Sequence, residues 1–123
     1  MQNRTLIFIF LTILLSTILS SPVRAAPLGD LNKGWQTFQR YCFFCHGEKG
    51  KLDGPNTPNL DPIPRAFDDL RHMSRLKDED IFDIISGGGP EINRSVVMPP
   101  FGRVLTREEI WDLVAFIRSV QGG

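Results

Sequence analysis

Apolar residues fall along this 123-residue chain in blocks of different texture. The first is unbroken: Leu6 to Leu19 is apolar apart from Thr and Ser. The second is periodic. Leu31, Trp35, Phe38 and Cys42 recur at helical spacing behind Asp30, a competent N-cap, and predict a helix from Leu31 to about Cys45. A weaker block over Phe67 to Met73 predicts a short helix opened by Asp68-Asp69. Ile81, Ile84 and Ile85 mark a helix over Asp78 to Ile85, whose acidic first turn suits the helix dipole and which Gly87-Gly88-Gly89-Pro90 stops. Last, a capping box at Thr106-Arg107-Glu108-Glu109 precedes Ile110, Leu113, Val114, Ile117 and Val120, the apolar stripe of an amphipathic C-terminal helix. No segment carries a strand signal of any length, and there is no internal repeat. The expected fold is all-α, with two strong terminal helices and weaker ones between them.

Two stretches resist this pattern. Gly47 to Arg65 holds three Gly and four Pro among Asp, Asn and Lys, so it is expected to be an irregular loop. A loop that long in a small domain buries no core of its own and is usually functional. Ser95 to Val104 cannot be helical, because Pro99 and Pro100 lack the amide hydrogen and clash with the preceding turn.

The unbroken block reads as a targeting element. Met1 to Arg4 is short and positive, Ser20-Ser21-Pro22 breaks the apolar run, and Val23-Arg24-Ala25 offers small residues around a cleavage point. Residues 1–25 are therefore expected to form a secretory signal peptide, with residues 26–123 as one domain. The run is short for a span, which takes about 20 apolar residues. Contact with a membrane is expected only if the segment is retained. Removing it leaves 12 basic and 14 acidic residues, a net charge of −2 with no basic run, which argues against nucleic acid as a partner. A domain just under 100 residues long has a thin core. Exported domains of that size often add disulfides, a metal or a bound group. With only two cysteines, three apart, no disulfide framework exists, and a bound group is the remaining option.

Those cysteines stand in Tyr41-Cys42-Phe43-Phe44-Cys45-His46-Gly47. C-x-x-C-H is the attachment pattern of a c-type haem. Residues i and i+3 share a helix face, so both sulfurs reach the two vinyl groups on one edge of a flat ring, and the adjacent neutral imidazole reaches the iron. Rival readings are weaker. A thioredoxin-like C-x-x-C needs a βαβ setting, which this chain lacks. A zinc site needs four ligands, which would take every Cys and His of the chain, and His72 lies 26 residues past His46. A simple disulfide leaves His46 unexplained. One covalent haem c held through Cys42 and Cys45, with His46 on the iron, is the expectation.

The second iron ligand decides much of the function. His alone leaves iron open to small molecules, whereas His with Met closes it and raises the potential. Met98, Met73 and His72 are the candidates. Met98 lies in Val97-Met98-Pro99-Pro100-Phe101-Gly102, where two prolines stiffen the loop and limit the entropy lost on fixing the thioether. Met73 is expected in the core and His72 in solvent. Arg65, in Pro62-Ile63-Pro64-Arg65-Ala66-Phe67, is suited to pair with a haem propionate, with a solvated loop arginine as the equal alternative.

The chain from Gly34 to Val120 resembles a class I c-type cytochrome of the small monohaem bacterial kind. The resemblance rests on GWQTFQRYCFFCHG, MPPFG and EEIWDLVAFIRSV. It implies three to five helices around one haem, with the terminal helices crossing near a right angle. Gly34 and Phe38 would then meet Ala115 and Phe116. It also implies Met98 as the sixth ligand, flanked by Pro99 and Phe101, and a proline carbonyl accepting the His46 ring N–H. Pro58 matches that proline best, with Pro55 as the alternative, and Asn59 and Leu60 would lie on the haem rim. The implied role is a periplasmic electron carrier, not an enzyme, meeting donor and acceptor redox proteins transiently. A haem subunit of a dehydrogenase or reductase complex is the alternative, followed by an open-site sensor or enzyme.

Overall fold

The computed structural model describes residues 29–89 and 97–121. The expected signal peptide, Ser95 and Pro90 lie outside them. Among the described residues there are five α-helices: α1 Leu31–Tyr41, α2 Phe43–His46, α3 Leu70–Met73, α4 Asp78–Gly87 and α5 Arg107–Ser119. Single 3-10 turns occupy Glu48–Gly50 and Thr57–Asn59. There is no strand among the described residues, and none of their helices is long and apolar enough to cross a membrane.

The terminal helices start where side chains cap them. Asp30 accepts the Asn32 and Lys33 amides at 2.9 and 3.1 Å, and its own amide donates to Asp112 of α5 at 2.6 Å. Thr106 and Glu109 exchange hydrogen bonds as a capping box. Lys77 caps α4, its amide donating to Asp80 at 2.7 Å, so the acidic run is a helix start as expected.

The main packing is α1 on α5, with α4 against α5 beside it. Gly34 makes the first contact possible. A Cβ there would run into the Asp112 carbonyl and stand 2.9 Å from the Phe116 Cβ. The close approach is thus over Asp112 and Phe116, one turn apart, and Phe116 is the partner expected. Phe38 fills the space alongside at 0% exposure, its ring 5.0 Å from Phe116. Ile110, Leu113 and Val114 close the core from α5, and Ile81 and Ile85 from α4.

Three predicted elements shift. The first helix ends at Tyr41, and Cys42 (φ −115°) separates it from a fresh turn that carries Cys45 and His46. The Phe67 block shrinks to four residues capped by Asp69 alone, whose carboxylate accepts the His72 amide at 3.2 Å. The Ile81 helix runs on through Gly87, because Gly88 at φ +73° supplies the left-handed C-terminal residue.

Candidate functional site

Enclosed by these helices and the two loops is a cavity of about 350 Å³ with a mainly apolar lining. Its floor is the core itself, from Phe38, Ile81, Ile85, Leu113 and Ile117. On one wall stand Cys42, Cys45 and His46. The local turn sets them there: the His46 amide donates to the Cys42 carbonyl at 2.9 Å and the Gly47 amide to Phe43 at 2.8 Å. Both cysteines are free. Burial, with the neighbouring Cys45 adding to it, pushes the Cys42 thiol up to about 12. Burial holds His46 down at about 4, so its ring is neutral at physiological pH and able to give a lone pair to a metal.

Phe67 stacks on that ring, centroids 5.3 Å apart at 28°. His46 Nδ1 is buried and has no hydrogen-bond partner. The bond expected to the Pro58 carbonyl is therefore not formed. Pro58 and Asn59 are exposed and do not line the cavity. The reason is Thr57, whose buried hydroxyl donates to the Cys45 carbonyl at 2.8 Å and turns the next two residues outward. Asn59 instead donates to Asn56 at 3.3 Å. Leu60 and Arg65 do line the cavity. Arg65 is exposed and lies 3.9 Å from Asp69, a pair worth little by itself.

The loop after α4 brings Met98, Pro99 and Phe101 to the same cavity. Its backbone is tied to the end of α4: Gly89 donates to the Met98 carbonyl, Phe101 to Ile85 and Gly102 to Ser86, each at 3.0 Å. A Cβ on Gly88 would stand 2.6 Å from the Met98 carbonyl, so this docking needs glycine. Met73 and His72 line the cavity too. Met73 is buried in the core as expected, while His72 is half-buried on the cavity side and not fully in solvent. Trp35 and Trp111 are core-edge aromatics, against Phe116 at 5.3 Å and Phe82 at 4.8 Å, away from the cavity lining. Sequence reasoning missed Thr57 and Phe67. The Ser/Thr-type turn signal at Thr57-Pro58-Asn59 was the one available clue to the former.

Two thiols and a neutral imidazole from one turn, in an apolar cavity that two thioethers also line, fit a flat apolar group anchored at one edge. Fold and site together define a helical protein built around such a group. The family model described as cytochrome c oxidase, cbb3-type, subunit III matches residues 29–117. A solved structure described as the KustC0563 c-type cytochrome is 30% identical, with a TM-score of 0.57, covering 72% of this chain and 96% of its own. A mutant of that protein matches at 31% identity and TM-score 0.56, over 72% and 99%. A chain of the Kuenenia stuttgartiensis reducing HAO-like protein complex Kustc0457/Kustc0458 matches at 28% and TM-score 0.63, over 80% of this chain but 46% of that one. No curated protein matches significantly. The chain belongs to the class I c-type cytochromes. Membership implies a covalent haem c, and Cys42 and Cys45 are placed to hold it.

Proposed function

We propose that this cytochrome carries single electrons on a haem c held by thioether bonds to Cys42 and Cys45, ligated by His46 and Met98. The observation that carries this reading is the shared cavity: His46 lines it from α2 and Met98 from the loop after α4, and three backbone hydrogen bonds tie that loop to the end of α4. A bound haem supplies a ferric–ferrous couple, which the protein tunes through axial ligands, hydrogen bonding and burial. His46, kept neutral by burial, gives its lone pair without first losing a proton. Met98, on a loop stiffened by two prolines, holds the weaker bond at a small entropic cost. Phe38, Ile81, Ile85 and Leu113 exclude water.

Phe44, Ile63 and Val97 line the cavity yet stay 60%, 58% and 46% exposed. They form an apolar mouth for brief contact with a donor and an acceptor. The apolar run before Ser20 supports export to the periplasm. Service as a haem subunit within a reductase assembly is the second reading, favoured by the match to a chain of a reducing complex.

Absorption spectra of the purified protein in both redox states test this directly. Covalent haem bands and a weak far-red Met–Fe(III) band are expected. Met98→Ala abolishes the far-red band. Its survival in that variant would reassign the ligand to Met73, and its absence from the unmutated protein would point to His72 or an open site.

A further inference from the structure

His72, Met73 and Leu76 form one face of the cavity, yet they sit on or just after a four-residue helix. A side chain from the far end of the chain fixes their backbone. Arg118, in the last turn of α5, donates from Nη1 to the Met73 carbonyl at 3.1 Å and from Nη2 to the Leu76 carbonyl at 2.5 Å. Its Nε donates to Asp78, the first residue of α4, at 2.6 Å. Nη1 also reaches the Gln121 side chain at 3.2 Å. The Arg118 and Asp78 side chains are 27% and 24% exposed, so the cluster is largely shielded. One planar guanidinium thus pins the end of α3, the link and the start of α4 onto α5.

We infer that Arg118 is a positioning residue for the redox site. By holding the Met73 and Leu76 carbonyls it seats this wall against the bound group and keeps water from that side. The inference rests on the haem reading proposed above. Ferric haem carries one more positive charge than ferrous haem, and a dry apolar wall disfavours the more charged state. Solvent exposure is among the factors that set the potential of a haem. An intact clamp therefore raises the potential, and a loosened one lowers it. Lysine cannot replace the clamp, because a single ammonium lacks the fork that spans two carbonyls and a carboxylate.

The test uses full-length, haem-loaded protein carrying Arg118→Gln, Arg118→Lys or Asp78→Asn, with potential and thermal unfolding measured on each. Both Arg118 variants are expected to lower the potential, approaching a tenfold fall in the equilibrium constant for reduction, 59 mV for one electron. Asp78→Asn, which leaves both carbonyl contacts in place, is expected to melt earlier at the unmutated potential. If Arg118→Gln fails to fold, Arg118→Lys carries the test. Arg118 variants that melt earlier at an unchanged potential would make the residue an ordinary brace and overturn the inference. An unmutated protein without covalent haem bands would instead sink the electron-carrier reading itself.

Discussion

Gly34→Ala puts the helix crossing to a quantitative test. Alanine is the better helix former by about 1 kcal/mol, so α1 considered alone predicts a stabilised protein. The crossing predicts the opposite. The new Cβ would lie 2.6 Å from the Asp112 carbonyl carbon and 2.9 Å from the Phe116 Cβ, where ordinary contact begins at 3.4 Å. Backbone and Cβ atoms cannot rotate away, so the helices must separate by more than half an ångström. That parting would loosen Phe38, packed at 5.0 Å on Phe116 and fully buried. Overpacking of this kind costs about 1–3 kcal/mol, at times more, and a clash with backbone belongs at the upper end. After the propensity gain, a net loss of about 2 kcal/mol is expected. At about 4–8 °C per kcal/mol for a domain of this size, the melting temperature falls by about 10 °C. Circular dichroism melts of the haem-loaded protein read this directly, since thioether bonds keep the cofactor attached during unfolding. A melting temperature equal to or above that of the unmutated protein would show that the terminal helices do not cross at Gly34.

Thr57→Val removes the hydroxyl donated to the Cys45 carbonyl while keeping the shape, and should cost about 1 kcal/mol, read as a Tm lowered by about 5 °C with haem bands intact; an unchanged Tm would remove Thr57 as an anchor of the attachment turn. In a haem-free Cys42→Ala/Cys45→Ala variant, His46 titrates near 4 in the folded chain and near 6.5 in the unfolded one. The unfolded state therefore takes up the proton first as pH falls. The stability contributed by neutral His46 is complete above pH 6.5 and is lost by roughly 3 kcal/mol on the way down to pH 4. Denaturant titrations should show that slope, and adding His46→Leu should remove it; equal slopes in both would mean that His46 is not buried as described.

The all-α class and the starts of the terminal helices were legible in sequence because their determinants are local. Asp30 and Thr106 cap the turns that follow them, and Ile110 to Val120 repeat at the helical period. The Cys42, Cys45 and His46 triplet was legible for the same reason, since its chemistry lies within one turn. Met98 was suggested only by its prolines and by family likeness, because its place depends on Gly88 and Gly89, ten and nine residues earlier, which accept its loop against α4. The reading of Pro58 failed on a tertiary contact: Thr57 found the Cys45 carbonyl and turned the chain, leaving His46 stacked on Phe67 with Nδ1 unpaired.

Sequence by itself thus determined the helices, the attachment turn and the kind of group that turn can hold, all matters of neighbours within a few residues. The tertiary structure alone decided which apolar side chains line the cavity, which loop shares it with His46, and that Arg118 braces the wall 42 and 45 residues earlier in the chain. Such contacts depend on how helices cross and loops close, and no local period or propensity records them.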